Sequence, residues 1–199
     1  NTIIIDGSYK YNKSEGKFLS SSSELDTRIS TYQLSPRLLS DLKVFDFIAQ
    51  TIEGTYQIQI ANSSAIRYSQ LMDWSPKIQF FCNRGTSGID GSTATALGAA
   101  QITTMPTILI TGDLSFFYDV NGLWNHYIPP TFRILLINNQ GGGIFRILSG
   151  EKDSPNFDHY FETIHQREAK YFVIAFCLSP VQEFQVFLDI ATTPGGLKC

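Results

Sequence analysis

Short runs of apolar residues alternate with longer amphipathic stretches along this chain from position 35 onward. The short runs are rich in Ile, Leu, Val and Phe and are bounded by Gly, Pro, Asn or Ser, which is typical of buried β-strands. We predict strands at 56–61, 77–82, 106–111, 132–138 and 184–190. The longer stretches repeat apolar residues every three or four positions, which indicates helices. We predict helices at 35–52, 63–72, 92–102, 115–127, 141–148 and 165–176.

The alternation of strands and helices predicts an α/β fold, with a parallel β-sheet covered by helices on both faces. The first helix has the clearest start, with Ser35 at a possible N-cap and Pro36 at the first helical position. In open sheets of this kind, ligands bind outside the carboxyl ends of the strands. We therefore expect a binding site among the polar segments that follow the strands. These segments are 62–67, 83–91, 112–115 and 138–145.

The residues before position 35 have a different character from the rest. They are polar after Ile5 and rich in serine, so we assign 1–34 to a linker or to the tail of a preceding domain, and 35–199 to the α/β domain. The chain starts at Asn1 on an apolar run and shows no signal peptide, which suggests a cut from a longer protein.

Composition excludes several classes of function. The formal net charge is −3, so no basic field would attract nucleic acid. No apolar run reaches the roughly 18 residues that a membrane span needs. The cysteines are Cys82, Cys177 and Cys199, an odd number without a CxxC pair, so we expect buried free thiols in a reducing compartment and no zinc site.

Two consecutive predicted strands end on oxygen-bearing side chains, Asp113 and Asn139. With the backbone carbonyl of Gly141, they form the kind of hard oxygen set that Mg²⁺ or Ca²⁺ prefers. The glycines at 141–143 would let the backbone approach an anionic ligand, and the segment "GDLS" opens a helix whose N-terminus favours an anion. Taken alone, Asp113 has a simpler interpretation as a helix cap, and Asn139 as a turn residue.

These residues carry a resemblance to a known family. The pairs Gly112-Asp113 and Asn138-Asn139 are similar to the "GDG…NN" signature of thiamine-diphosphate enzymes, with Leu114 in place of the third glycine. Within that superfamily, the chain most resembles the 2-succinyl-5-enolpyruvyl-6-hydroxy-3-cyclohexene-1-carboxylate (SEPHCHC) synthases of menaquinone biosynthesis. The resemblance covers about 50–165. Its stretches are "ANSSAIRYSQL", "NRGTSGIDGSTATALGAA", "GDLSFFYD" and "NNQGGGIF".

The resemblance implies a fold and a reaction. The fold is the thiamine-diphosphate-binding fold, in the form that holds the diphosphate. The enzyme uses thiamine diphosphate with Mg²⁺ (or Mn²⁺), decarboxylates 2-oxoglutarate and adds the resulting succinyl-semialdehyde unit to isochorismate. It is a cytoplasmic homodimer or homotetramer, and an N-terminal pyrimidine-binding domain supplies an essential glutamate. No segment here resembles that domain, so we expect this chain to be inactive alone.

The resemblance also implies roles for particular residues. The metal would be held by Asp113, Asn139 and the carbonyl of Gly141. The cofactor would be bound by Ile89, Gly112, Asp113, Leu114, Ser115, Asn139, Gly141, Gly142 and Ile144. Ile89 would act in catalysis as the wedge that enforces a bent cofactor. The substrates would be bound by Ser63, Arg67, Arg84, Ile144, Phe145 and Leu148. Both substrates are dianions, and arginine binds carboxylates through a two-pronged fork.

Simpler interpretations exist for several of these residues. Arg67 lies one helical turn after Ser63 and has a simpler interpretation as half of a surface ion pair, worth at most about 1 kcal/mol. Ile89, Phe145 and Leu148 have the character of ordinary core residues. Two other functions also stay open. One is a different thiamine-diphosphate 2-oxoacid decarboxylase or an acetolactate-synthase-like enzyme, and the other is a non-catalytic module that binds diphosphate.

Overall fold

A single sheet of parallel strands organises the protein. The computed structural model describes residues 41–148, 154–169 and 187–191. Within this part of the chain, five strands pair in the order β2-β1-β3-β4-β5, and each pair is parallel. The strands are β1 (Gln57–Ile60), β2 (Gln79–Cys82), β3 (Thr107–Gly112), β4 (Phe132–Asn138) and β5 (Phe187–Ala191). All five strands lie at or within three residues of the positions predicted from the sequence.

Helices connect the strands. The α-helices are α1 (Asp41–Thr51), α2 (Ser64–Ser69), α3 (Ser92–Gln101), α4 (Asp113–Tyr118) and α5 (Ile144–Ile147). A 3₁₀ turn at Val120–Leu123 follows α4, and a π-helix at Phe157–Glu162 follows α5. The π-helix was not predicted from the sequence.

Side chains of the central strands alternate between two hydrophobic clusters, one on each face of the sheet. Ile108 and Ile110 of β3 pack in the cluster that contains α1, while Leu109 packs in the cluster that contains α3 and α4. The same alternation holds along β4. Burial of both faces is what a parallel sheet requires. The predicted α/β architecture, of the type that binds thiamine diphosphate in known enzymes, is therefore confirmed.

The helix α1 forms because its apolar side chains fall on one face. Val44, Phe45, Ile48 and Thr51 are buried against the sheet, at the spacing of successive helical turns. The prediction of a helix at 35–52 is confirmed for its described part. The proposed cap residues before position 41 and the domain boundary after position 34 lie outside the described residues.

One predicted helix is interrupted. The sequence pattern indicated a continuous helix at 115–127, but α4 ends at Tyr118 and a 3₁₀ turn follows. The side chain of Asp119 accepts a hydrogen bond from the backbone N–H of Ala94, at 2.9 Å, in the first turn of α3. Gly122 lies so close to Ala94 that an added Cβ would meet its Cα at 3.1 Å. The chain therefore bends to cap and pack against α3.

Two further predictions need correction. The strand β2 lies at one edge of the described sheet and its residues are exposed, so the expected burial of the Cys82 thiol is wrong. Cys177 and Cys199 lie outside the described residues. A helix was also predicted at 165–176, but 163–168 is irregular, and the helix-like backbone begins only at Ala169. The remainder of that prediction lies outside the described residues.

Candidate functional site

A cavity of about 530 Å³ lies at the carboxyl ends of the strands. Every residue predicted from the sequence to bind the metal, the cofactor or a substrate lines this cavity. They are Ser63, Arg67, Arg84, Ile89, Gly112, Asp113, Leu114, Ser115, Asn139, Gly141, Gly142, Ile144, Phe145 and Leu148. Their convergence follows from the parallel sheet, because each polar segment leaves the same edge.

The carboxylate of Asp113 is almost completely buried, with 2% of the residue exposed. Its Oδ1 accepts the backbone N–H of Leu114 at 2.7 Å, and its Oδ2 accepts the backbone N–H of Gly141 at 2.9 Å. The N-cap of α4 is Gly112, so Asp113 is not the helix cap that the simpler interpretation assigned. Its side chain instead joins the end of β3 to the loop after β4.

The amide of Asn139 is held on one side only. Its Nδ2 donates a hydrogen bond to Oδ2 of Asp41 at 3.0 Å, whereas its Oδ1 is buried and has no hydrogen-bond partner among the described residues. A buried polar atom without a partner is costly in a folded protein unless a ligand or ion satisfies it. Gly143 is needed beside it, because a Cβ there would meet Nδ2 at 2.9 Å.

Asp113, Asn139 and Gly141 fit the requirements of a divalent cation such as Mg²⁺. They offer a carboxylate, an amide oxygen that no described residue binds, and a backbone carbonyl, and hard cations prefer oxygen ligands. The carbonyl of Gly141 accepts the N–H of Gly143 at 3.0 Å and keeps a second lone pair. Among the described residues, no group of three or more His, Cys, Asp or Glu side chains is placed to hold a metal ion.

The segment that contains the π-helix is bound to the loop after β4. The backbone N–H of Gly142 donates to the carbonyl of Glu162 at 2.6 Å, and the N–H of His165 donates to the carbonyl of Gln140 at 3.1 Å. The buried carboxylate of Glu162 pairs with Arg146 of α5. Tyr160, Phe161 and Thr163 of this segment thereby form one wall of the cavity.

The two arginines line another part of the cavity. Arg84 donates from Nη1 to Oδ1 of Asn62 at 2.7 Å, and Nδ2 of Asn62 in turn donates to the carbonyl of Ser87. Arg67 donates from Nη1 to the carbonyl of Ser63 at 3.0 Å. A backbone carbonyl, rather than a carboxylate, is therefore the hydrogen-bond partner of Arg67, and the simple ion-pair interpretation does not describe it.

Apolar residues complete the cavity. Ile89 is partly buried, and its carbonyl accepts the hydroxyl of Ser115 at 2.7 Å, which fixes the loop before α3 against α4. Ile144 is buried, whereas Phe145 and Leu148 are 37% and 41% exposed. Core packing therefore does not account for Phe145 and Leu148, which present apolar surface to the cavity instead.

Sequence reasoning missed several lining residues, namely Asp41, Phe45, Tyr160 and Phe161, and it placed Asn62 in a binding segment without giving it a role. Asp41 lies in the first turn of α1 and contacts Asn139 across 98 positions of sequence. The pKa of Tyr68 is raised above its usual value, mainly by burial and to a lesser extent by the negative charge of Asp41. The sequence signals for Asn62 were its position directly after the strand predicted at 56–61 and its place in the stretch "ANSSAIRYSQL".

The candidate site belongs to a chain that closely resembles known enzymes. A scan against protein-family profiles gives no match. The chain is 58% identical over 132 residues to the SEPHCHC synthase of Flavobacterium johnsoniae, a match that covers 66% of this chain and 24% of that protein. It is 52% identical over 165 residues to the SEPHCHC synthase of Flavobacterium psychrophilum, which covers 81% of this chain and 30% of that protein.

A more distant relative agrees with these two. The SEPHCHC synthase of Bacteroides fragilis is 40% identical over 131 residues, or 66% of this chain and 24% of that protein. The chain thus spans less than a third of the length of each of these relatives. No helix within the described residues has the length and apolar character needed to cross a membrane. The chain therefore belongs to the family of 2-succinyl-5-enolpyruvyl-6-hydroxy-3-cyclohexene-1-carboxylate synthases.

Proposed function

We propose that this chain forms the diphosphate-binding half of a thiamine-diphosphate- and Mg²⁺-dependent synthase. The enzyme decarboxylates 2-oxoglutarate and transfers the succinyl-semialdehyde unit to isochorismate, in the cytoplasm and as a homo-oligomer. The observation that carries the proposal is that one cavity contains both the buried Asp113 carboxylate and Oδ1 of Asn139, a buried oxygen without a hydrogen-bond partner in the described part of the chain. Similarity to the named relatives supports the choice of reaction.

In this proposal, residues that follow β3 and β4 would hold the metal and the diphosphate. Asp113, Asn139 and the carbonyl of Gly141 hold Mg²⁺ or Mn²⁺, which neutralises the diphosphate. Gly112, Leu114, Ser115, Gly142 and Ile144 enclose the bound cofactor. Thiamine diphosphate, when bound, supplies the nucleophilic carbon for decarboxylation, and the protein supplies placement and electrostatics.

Arg67 and Arg84 recognise the substrates in this proposal. Arg84, oriented by Asn62, and Arg67, oriented by the Ser63 carbonyl, bind carboxylates of the dianionic substrates. Ile89 lines the cavity and would support the bound cofactor. Ile144, Phe145 and Leu148 exclude water from the reacting centre, which strengthens each electrostatic contact inside the cavity.

Calorimetric titration of thiamine diphosphate tests the cofactor assignment. The 199-residue chain should bind the cofactor in the presence of Mg²⁺, and binding should disappear when Mg²⁺ is omitted or Asp113 is replaced in Asp113→Ala. Lys43→Ala, on the exposed side of α1, is the control and should bind like the parent. Binding that is indifferent to both Mg²⁺ and Asp113 would contradict the proposed metal site.

A second experiment separates an enzyme part from a non-catalytic binding module. These 199 residues alone should show little or no turnover, because the essential glutamate is expected from a pyrimidine-binding domain that none of them resembles. Addition of a pyrimidine-binding domain from a relative should restore the conversion of 2-oxoglutarate and isochorismate. Cofactor binding without any restored turnover would favour the non-catalytic module.

A further inference from the structure

A hydrogen bond of Asp41 joins positions 98 residues apart in the sequence, the largest separation among the side-chain hydrogen bonds of the described residues. Asp41 lies in the first turn of α1, before the first strand, and accepts a hydrogen bond at 3.0 Å from Nδ2 of Asn139, after the fourth strand. Both residues line the cavity. The contact joins a helix on one face of the sheet to the loop that carries a proposed metal ligand.

The chemistry of the two groups dictates the direction of this hydrogen bond. An ionised carboxylate only accepts hydrogen bonds, whereas an amide has one donating end and one accepting end. Asp41 therefore selects the NH₂ end of Asn139 and leaves Oδ1 on the opposite side. This Oδ1 is the buried oxygen that has no hydrogen-bond partner among the described residues.

Asp41 and Asn139 are each held in place by neighbouring residues. Phe45 and Ile48 are 0% and 2% exposed and fix α1 to the sheet, which anchors the helix that carries Asp41. On the other side, Gly143 leaves the space that the amide of Asn139 occupies. A rotated amide would bring Oδ1 against the Asp41 carboxylate, where two acceptors repel each other.

We propose that Asp41 is a positioning residue that fixes the amide of Asn139 with its oxygen toward the metal. The inference rests on the proposed function and adds a residue to it. Partners that orient the side chains of metal ligands commonly contribute tenfold or more to metal affinity. Asp41 itself does not need to touch the cation.

Titration of Mn²⁺ into the 199-residue chain, in the presence of thiamine diphosphate and followed by electron paramagnetic resonance, tests the inference. Asp41→Asn should raise the Mn²⁺ dissociation constant about tenfold. An amide at position 41 can either accept from the NH₂ of Asn139 or donate to its oxygen, so it no longer selects one orientation. Asp46→Asn removes an exposed charge from the same helix and should match the parent within about twofold.

A double-mutant cycle distinguishes an effect of Asp41 on the orientation of the Asn139 amide from an effect of the Asp41 charge on the cation. In Asn139→Asp both terminal atoms are oxygens, so orientation no longer matters. Adding Asp41→Asn to this background should leave Mn²⁺ affinity unweakened, within about twofold. If Asp41 acts only by attracting the cation or by supporting the fold, Asp41→Asn weakens binding equally in both backgrounds, and the inference is overturned.

The same data distinguish failure of the inference from failure of the proposed function. If the parent binds Mn²⁺ and Asp113→Ala does not, but Asp41→Asn binds like the parent, only the positioning role of Asp41 falls. If neither the parent nor Asp113→Ala binds Mn²⁺, the proposed metal site is wrong, and so is the role of Asp41 that depends on it. Circular dichroism of each variant shows whether its fold is retained.

Discussion

Nε2 of His165 lies 3.2 Å from Oδ2 of Asp113, the same oxygen that accepts the backbone N–H of Gly141. Nδ1 of His165 accepts the N–H of Arg167 at 3.1 Å, so in the neutral ring the proton resides on Nε2. Nε2 forms no hydrogen bond with the described residues, although its distance to the carboxylate is short. The contact is therefore a close electrostatic one between an imidazole and a proposed metal ligand.

We predict that His165→Phe weakens Mn²⁺ binding about tenfold, because a group that restrains the ligand carboxylate is lost. Phenylalanine keeps the edge-on ring contact with Phe117, whose centroid lies 5.3 Å from that of His165. The measurement is Mn²⁺ titration by electron paramagnetic resonance. His159→Phe is the control, because His159 is exposed on the π-helix and contacts Tyr160. Equal affinities in the two variants would show that His165 has no role in restraining Asp113.

The architecture of this site was predictable because it depends on short-range patterns. Alternating apolar runs and helical stretches identified the parallel sheet, and the carboxyl-end rule then gathered polar segments far apart in sequence. Asp113 and Asn139 were found in this way, since each follows a buried strand directly. The family resemblance assigned their roles, which remain predictions.

The partners of these residues were not predictable, because they depend on tertiary contacts without a local signal. Asp41 is an ordinary acidic residue in the first turn of a helix until the fold places it beside Asn139. Asp119 and Gly122 lie in a pattern that is compatible with a helix, yet contacts with α3 interrupt it. The π-helix wall likewise depends on hydrogen bonds between the loops after β4 and around Glu162.

We predict opposite effects on stability for two glycine substitutions. A Cβ at Gly141 would meet the carbonyl oxygen of Glu162 at 2.7 Å, so Gly141→Ala should lower the free energy of unfolding by about 1–3 kcal/mol. Gly98 lies inside α3, and no atom of the described residues lies within 4 Å of an added Cβ. Gly98→Ala should therefore raise the free energy of unfolding by about 0.5–1 kcal/mol. Urea denaturation monitored by circular dichroism measures both. A Gly141→Ala chain as stable as the parent would show that the loop yields without cost.

We predict that Arg84→Lys impairs substrate binding more than chemistry in the enzyme reconstituted with a pyrimidine-binding domain. Lysine retains the charge but loses the planar fork that Asn62 orients, so KM for one dicarboxylate substrate should rise about tenfold, with kcat less affected. Steady-state kinetics with each substrate varied in turn identifies which one depends on Arg84. Lys43→Ala serves as the control, since Lys43 is exposed on α1. An unchanged KM for both substrates would remove Arg84 from the substrate site.

The exposed thiol of Cys82, two residues before Arg84, reports on the charge at that arginine. Partial burial raises the pKa of Cys82, and the guanidinium of Arg84 offsets part of this rise by stabilising the thiolate. The alkylation rate of Cys82 by iodoacetamide should therefore reach its midpoint at a higher pH in the folded chain than in urea. Arg84→Ala should move this midpoint further upward, because the stabilising cation is lost. Replacement of Cys177 and Cys199 by serine isolates the signal.

Because the charge of Arg84 lowers the pKa of Cys82, this pKa should report whether a ligand is bound to Arg84. A carboxylate that binds Arg84 neutralises part of its charge, so a saturating dicarboxylate should raise the pKa of Cys82 in the parent and leave it unchanged in Arg84→Ala. Lys43→Ala, with an exposed charge removed outside the cavity, should respond like the parent. An equal shift in all three chains would mean that the ligand acts on the thiol without binding Arg84. A downward shift in Arg84→Ala alone would contradict the assigned influence of the guanidinium on Cys82.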